Sequence, residues 1–502
     1  MKNNYLNYKD VYHYMDLNEK DLKQQFIILN EFLTHCVQNK IKFTFLKPMP
    51  PCFSKHVSNI KKAVRWNNIL AKDNVLINHN LYYSPNRKFY TYDKQNAAKL
   101  CHKCTHWRKK HCKGIPGRSF ISFKNSFIKK HGAKVYQALR TDYENGVIVT
   151  GGKCFSNCKY CYERYIPDSI LPRIKPLTIQ EIKHFLFYKS KPASLTGVAH
   201  HSKGGDFFGH PDYKRIIKEI IKPPYVDHRS EILTNASFLD LDSIDFLAKY
   251  SSRISLYISV NSLNENIRNS LLNKHTSDHF SIKDILLVLK EKKLLAGINN
   301  IYTNQTKKEE LHKLIAWSKD LDPHIQINFS RPGYNKYMPE QMHTMLNINF
   351  KDMLLNIYPL KKIRDKNITI DFDLPFDYFN FERNIHNGFR KRIIPLKKLS
   401  GQSILCLHTK NVSPFLKKDK YNHNIIFQEI LPHTLGGNND AAGHITIEDY
   451  LYVLKKYKKK YINNDIDCIA INKDTLDHNL RDLQGNDLNS IFHLTRNKLI
   501  LA

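Results

Sequence analysis

The amino-acid sequence predicts an α/β fold built on a parallel sheet. Between residues 146 and 335, six apolar strand segments alternate with amphipathic helix segments, and this order requires right-handed crossovers between parallel strands. A cluster of thiols directly follows the first strand. The alternation fits both an open doubly wound sheet and a partial barrel of six β/α units. Periodicity alone does not distinguish these two folds, and the choice between them depends on the thiol cluster.

The strands and helices were located from hydrophobic periodicity. Thr178 and Glu181 have the spacing of a capping box, which predicts the start of the first helix after the thiols. The predicted strands are Val147–Val149, Thr196–His200, Glu231–Asn235, Ile254–Val260, Ile298–Thr303 and Ile325–Phe329. The predicted helices are Thr178–Lys189, Tyr213–Ile221, Asp240–Tyr250, Ser281–Lys293 and Lys307–Leu321.

The sequence outside this alternation predicts three further regions. Residues 1–145 form a basic, cysteine-containing region in which Leu22–Lys40 has helical periodicity. Residues 336–400 are expected to be a helical and loop connection, with a helix over Met342–Ile357. Residues 401–502 are expected to form a small mixed α/β domain that includes a helix over Ile447–Tyr461.

The composition favours a cytoplasmic protein. Six of the ten cysteines lie in two tight clusters, which is typical of metal binding in a reducing compartment rather than of a disulfide framework. The N-terminus lacks the apolar core of a signal peptide. No apolar run reaches the roughly 18 residues of a membrane span. We therefore expect no membrane association.

The net charge suggests a polyanionic partner. The chain has 79 Lys and Arg against 46 Asp and Glu, so the formal charge is 79 − 46 = +33, which would attract nucleic acid. The competing interpretation is a general bias toward Lys, Asn, Ile and Tyr, with basic runs that lie on solvated helix faces. Charge does not distinguish between them.

The thiol cluster consists of Cys154, Cys158 and Cys161 in C-x-x-x-C-x-x-C spacing. Four thiolates normally complete a 4Fe-4S cluster, whereas three within eight residues could surround one side of it and leave the fourth iron open. The alternatives are a zinc loop, although zinc prefers four ligands in paired spacings, and three incidental buried thiols. The spacing favours an iron-sulfur site.

These three thiols, with Tyr160 directly before the last, resemble the signature of the radical S-adenosylmethionine (radical SAM) superfamily. The resemblance implies a partial six-unit TIM-like barrel with the cluster at the C-terminal end of the first strand. It also implies that the open iron binds S-adenosylmethionine, which an external reductant of flavodoxin or ferredoxin type cleaves to a 5'-deoxyadenosyl radical.

Two further stretches resemble cofactor-binding elements of that superfamily. Gly204, Gly205 and Asp206 resemble its Gly-Gly-Glu element, with Asp in place of Glu, which would contact the methionine amino group. Ser259, Asn261 and Arg268 follow the fourth strand, where the superfamily binds ribose and carboxylate, and a guanidinium suits a carboxylate. The alternatives are an ordinary glycine turn and a capped helix start with an exposed arginine.

The N-terminal region contains a second cysteine segment. Cys101, Cys104 and Cys112 have C-x-x-C-x(7)-C spacing and are similar to segments that bind auxiliary iron-sulfur clusters in several radical SAM enzymes. Three soft ligands suit iron and zinc about equally, so a second cluster, structural zinc and no metal all stay open.

A more diffuse resemblance covers residues 255–502. Segments 331–337, 431–446 and 480–485 are similar to landmarks of a bacterial radical SAM family with an uncharacterised C-terminal domain. Members of that family begin with a small domain. In this chain a basic, cysteine-bearing region stands in its place. The resemblance is therefore a weak guide to the substrate.

Together these observations predict a radical SAM enzyme that modifies a second substrate, with nucleic acid, specifically RNA, favoured by charge and aromatic content. A peptide or protein maturase is the alternative within the same enzyme class. A non-catalytic, metal-stabilised nucleic-acid-binding protein is the alternative from another class.

Overall fold

The computed structural model divides the chain into two compact units, Met1–Tyr136 and Gln137–Ala502. The predicted helix over Leu22–Lys40 lies almost wholly outside the described residues. The structure describes residues 27, 31, 34, 38, 99–103, 108–109, 117–144, 146–154, 156–188, 194–196, 201–221, 226, 229–272, 281–304, 308–330, 332–348, 353, 356–357, 370–373, 403–409, 424–437, 445–457, 466, 468–471, 475–476, 481–488, 490–491 and 498–501.

Strands and helices alternate through the first part of the second unit. Helices α1 and α2 precede the first strand and were not predicted. The elements in chain order are α1 (Arg118–His131), α2 (Ala133–Glu144), β1 (Val147–Ile148), α3 (Ile179–Leu186), β2 (Ser194–Thr196), α4 (Tyr213–Ile220), β3 (Ser230–Thr234), α5 (Leu241–Ala248), β4 (Ile254–Ser259), α6 (Glu265–Leu272), α7 (Ile282–Glu291), β5 (Leu295–Ile301), α8 (Lys308–Leu321), β6 (Gln326–Ser330), α9 (Glu340–Leu346) and β7 (Ile370–Asp373).

Strands β1 to β7 form one parallel sheet in the order of the sequence. Each crossover therefore steps to the next strand in the same direction, and right-handed crossovers then place the helices on one face. A doubly wound sheet would reverse direction once. In the described part of the chain β1 and β7 are the sheet edges, so the sheet is an open, partial barrel, and the predicted α/β class is confirmed.

The predicted helix starts follow from local capping. Thr178 accepts a hydrogen bond from Glu181 N, and the Glu181 carboxylate accepts from Thr178 N at 2.8 Å, which completes the predicted capping box. Ser281 and Asp284 cap α7 in the same way. Such reciprocal caps satisfy backbone donors that the first helical turn leaves unpaired.

A second parallel sheet lies near the C-terminus. Its strands are β8 (Ser403–Thr409), β9 (Asn424–Ile430), β10 (Cys468–Ile471) and β11 (Lys498–Leu501), in the order β11-β10-β8-β9. Helix α10 (Ile447–Lys456) begins at a capping box of Thr446 and Asp449. Among the described helices of the chain, none has the length and apolar character that crossing a membrane requires.

Candidate functional site

The thiol cluster lies on the loop that follows β1, at the C-terminal edge of the sheet. Cys154 is exposed, Cys158 is buried and Cys161 is partly buried. Cys161 N donates to Cys158 O at 3.1 Å, which closes a tight turn between the last two thiols. In parallel α/β sheets this edge is where catalytic loops collect.

Glycines let the start of this loop pack closely against the segment that follows β2. A Cβ atom on Gly152 would lie 2.6 Å from Asp206 O, and one on Gly205 would lie 2.6 Å from Gly152 O. Lys153 N donates to Gly209 O at 3.2 Å. Side chains at these positions would push the two backbones apart. The absence of Cβ atoms therefore allows the Gly-Gly-Asp segment to pack directly against the thiol loop.

The end of β3 supplies polar contacts to the first thiol. Asn235 Nδ2 donates to Ser156 Oγ at 2.9 Å and lies 3.9 Å from Cys154 Sγ. Ser156 Oγ is also 3.0 Å from Ser237 Oγ. Sequence analysis did not assign Asn235 a role, although its position at the C-terminal end of a parallel strand was a usable signal.

Helix α6 and the end of β4 hold the other side of the loop. Asn157 N and Lys159 N donate to Leu272 O and Leu271 O at 3.0 and 2.9 Å. The buried Arg268 donates to Asn235 O at 2.8 Å, so the interpretation as an exposed arginine is wrong. Tyr160 lies beside Cys158 and Asn261.

The environment of the loop favours the protonated form of all three thiols. Burial raises the pKa of Cys158 to about 11, with a further contribution from Cys154, and Arg268 acts in the opposite direction. Burial, then Glu163 and Cys158, raise the pKa of Cys161 to about 12. Desolvation by the surrounding loop, followed by Asp206, also raises the pKa of Cys154, although its side chain is exposed. Without a metal the three thiols are therefore protonated at neutral pH, and they become thiolates only when they bind one.

The three thiols influence one another electrostatically. Within the described ranges, no three His, Cys, Asp or Glu side chains are grouped as ligands of one metal ion. A 4Fe-4S cluster places its cysteine ligands on different iron atoms. Three thiols within eight residues of one loop are compatible with this arrangement.

Asp206 uses its carboxylate within the protein. It is buried and accepts hydrogen bonds from Phe208 N at 3.0 Å, Thr234 Oγ1 at 2.8 Å and Asn235 N at 3.3 Å. These contacts join the segment after β2 to the end of β3. The sequence predicted a contact with the cofactor, whereas the observed donors are protein groups.

The Asp206→Asn variant should therefore lose stability, because an amide nitrogen would face Thr234 or Asn235 donors. We expect the free energy of unfolding to fall by about 1–3 kcal/mol, measured by denaturant unfolding of the metal-free protein. The matched control is Asp240→Asn at the N-cap of α5, where Asn caps about as well as Asp. Equal stability of the two variants would contradict the assigned role of Asp206.

The C-terminal region reaches the thiol loop through segment 332–337. Asn335 Nδ2 donates to Tyr162 O at 3.0 Å, and Lys336 N donates to Leu435 O at 2.8 Å. An apolar cluster completes the contact, formed by Ile166, Leu171, Leu435 and Leu483 with Tyr162, Ile170 and Tyr337 packed against it. Segments that resembled landmarks of one bacterial family therefore meet beside the thiol loop.

The structure gives less information about the other site residues that the sequence predicted. Ser259 is half-buried at the end of β4. Cys101 is buried in a short 3-10 helix, Lys99–Lys103. Cys104 and Cys112 lie outside the described residues, so the proposed second metal site stays a prediction.

Comparison with known protein families gives one match. Residues 148–317 match the model of the Radical SAM superfamily. This range begins at β1 and ends within α8, and it contains the thiol loop. A comparison with curated proteins found no match.

Proposed function

Residues 148–317 belong to the radical SAM superfamily, which makes the protein an enzyme of the radical SAM class, and we propose that its reaction starts at the loop after β1. Cys154, Cys158 and Cys161 hold the 4Fe-4S cluster that this class implies. The observation that carries this assignment is the C-x-x-x-C-x-x-C loop itself, which follows β1 at the C-terminal edge of the sheet and lies inside the matched range. The bound cluster supplies the electron that cleaves S-adenosylmethionine to a 5'-deoxyadenosyl radical.

The residues around the loop position the cofactor. Arg268 is buried beside Cys158 and Tyr160 and is assigned to the methionine carboxylate, because a guanidinium binds carboxylates strongly. Ser259 and Asn261, at the end of β4, are assigned to the ribose. Gly204 and Gly205 offer backbone carbonyls to the amino group, and Asp206 holds that backbone in place through its contacts with Thr234 and Asn235.

The proposed second substrate is nucleic acid, with RNA favoured. The net charge of +33 supports this, and so does the local charge of the thiol loop. Between residues 151 and 177 the sequence has two acidic residues, Glu163 and Asp168, and burial raises the pKa of Glu163 to about 8. The five basic residues of this stretch are Lys153, Lys159, Arg164, Arg173 and Lys175. A positive loop beside the reacting site would draw a phosphate backbone toward it.

Anaerobic reconstitution with iron and sulfide tests the enzymatic proposal. The reconstituted protein, given dithionite and S-adenosylmethionine, should bind about four irons on the loop and release 5'-deoxyadenosine without any second substrate. The control is the same protein after iron chelation, which should release none. A chain that binds the cluster but does not cleave S-adenosylmethionine would contradict the proposal.

A further inference from the structure

The inner face of the sheet is polar and uncharged across strands β4 to β6. Along these strands buried and half-buried residues alternate, as the two faces of a strand require. The fully buried face is mainly apolar and includes Ile258, Ile298 and Ile327. On the opposite, half-buried face lie Tyr257, Asn299, Gln326 and Asn328, next to Ser259, which is assigned to the ribose. We refer to the first four residues as the amide wall.

A continuous chain of hydrogen bonds orders the amide wall. The Tyr257 hydroxyl donates to Gln326 Oε1, Gln326 Nε2 donates to Asn328 Oδ1 at 3.1 Å, and Asn328 Nδ2 donates to Asn299 Oδ1 at 2.9 Å. The ring of Tyr257 lies over Gly297, where a Cβ atom would be 2.5 Å from the ring. These contacts fix the amide planes, so the wall presents its polar atoms in defined positions.

The chain of bonds ends in a group that can bind a ligand. Within the described residues, Asn299 Nδ2 has no hydrogen-bond partner. The register pairs Ser259 with Asn299 and Asn299 with Asn328. The amide donor of Asn299 therefore stands on the half-buried side, at the same level of the sheet as Ser259.

The same row leads to the thiol loop. Thr234 pairs with Ile258, so the next residue, Asn235, lies at the level of Ser259. Asn235 Nδ2 is 3.9 Å from Cys154 Sγ. A ligand bound along the wall would consequently have one end beside the site at which the radical forms.

The chemistry of the wall favours a neutral, planar ligand. Its side chains are amides and hydroxyls, so a phosphate or carboxylate would find no cation on the wall and would have to lose its hydration. A nucleobase offers adjacent donors and acceptors on its edge, which amide side chains recognise. Single-stranded RNA is recognised through unstacked bases of this kind.

We propose that the amide wall binds one unstacked nucleobase of the substrate and presents it to the thiol loop. This inference rests on the proposed function, because it names the part of the nucleic acid that enters the barrel. The basic residues of the thiol loop bind the phosphates, and Asn299, Gln326 and Asn328 recognise the base edge.

The proposed base binding is tested by comparing base-containing with abasic oligonucleotides. Reconstituted protein is titrated anaerobically, by fluorescence anisotropy, with single-stranded RNA oligomers of each base and with an abasic oligomer of equal length. The wild type should bind at least one base-containing oligomer about 10- to 100-fold more tightly than the abasic one. Asn299→Asp keeps the acceptor for Asn328 but replaces the outward donor by a carboxylate, and it should abolish this preference. Asn328→Leu should do the same.

The controls distinguish a failure of the amide-wall assignment from a failure of the proposed nucleic-acid substrate. Asn347→Leu, at an exposed position after α9, should keep the preference and release as much 5'-deoxyadenosine without RNA as the wild type. Equal binding of base-containing and abasic oligomers by the wild type would overturn the wall assignment. Release of 5'-deoxyadenosine with no RNA binding at low salt would overturn the nucleic-acid substrate, and with it the wall, while the radical SAM activity stands. If both wall variants misfold, the binding of base-containing and abasic oligomers by the wild-type protein decides whether the wall assignment holds.

Discussion

The Cys158→Ala variant is expected to release no 5'-deoxyadenosine above background. Cys158 is the central thiol of the loop, it is buried, and both neighbouring thiols interact with it electrostatically. Its removal leaves two thiols for a cluster that needs three, so the iron content after reconstitution should fall from about four to below about one per chain. Iron analysis and quantification of 5'-deoxyadenosine under dithionite measure both effects.

Cys406→Ala is the matched control. Cys406 is also a buried thiol, but it lies in β8 of the second sheet, outside the residues that match the superfamily model. This variant should retain wild-type iron content. RNA affinity of Cys158→Ala adds a second measurement, since a non-catalytic RNA-binding protein would show unchanged binding and no cofactor cleavage in the wild type either. Full 5'-deoxyadenosine release by Cys158→Ala would remove the thiol loop from the mechanism.

The sequence was sufficient where local signals agree with tertiary packing. The capping boxes of α3 and α7 and the apolar periodicity of their helices set boundaries within a few residues of those observed. Strand β5 begins at Leu295, three residues before its predicted start, because Ala296 and Gly297 are poor strand formers. Gly297 belongs to the strand because its missing side chain makes room for Tyr257, a contact between strands that local sequence does not encode.

Two of the elements that were missed, α6 and β7, are short and depend on distant partners. Helix α6 contains three Asn or Ser residues, which have low helix propensity, and it is stabilised by burying Arg268, Leu271 and Leu272. Strand β7 has four residues and exists through its pairing with β6. The predicted connection over residues 336–400 therefore contains the seventh strand of the sheet.

In the candidate site, too, a local motif could be predicted from the sequence, whereas contacts between distant residues could not. Cys154, Cys158 and Cys161 could be found because one loop carries all three within eight residues. Asn235 lies 81 residues from Cys154, and its contact exists through the register of β3 with its neighbours. The internal partners of Asp206 were equally hidden, because a carboxylate next to two glycines gives no indication of whether its donors come from the protein or from a ligand.

Gly209→Ala is expected to cause the largest structural loss in this region. A Cβ atom at position 209 would lie 1.8 Å from Lys153 O and 2.9 Å from the Phe238 ring. Backbone atoms of the thiol loop would have to move, because a carbonyl oxygen cannot rotate away as a side chain does. Since Lys153 directly precedes Cys154, iron uptake should fall together with the thermal midpoint, at a cost of about 2–3 kcal/mol.

The comparison with Gly132→Ala isolates the effect of crowding. Gly132 has φ of 94°, and a Cβ atom added there would meet no other atom within 4 Å. With ψ of 151° the residue lies in a region of backbone conformation that is essentially restricted to glycine, so alanine costs about 1–3 kcal/mol in backbone strain without touching the thiol loop. We expect Gly132→Ala to bind a wild-type amount of iron after reconstitution. Wild-type iron uptake by Gly209→Ala would mean that the thiol loop can shift away from the segment after β2 and still bind its cluster, which would contradict the role assigned to the glycine contacts.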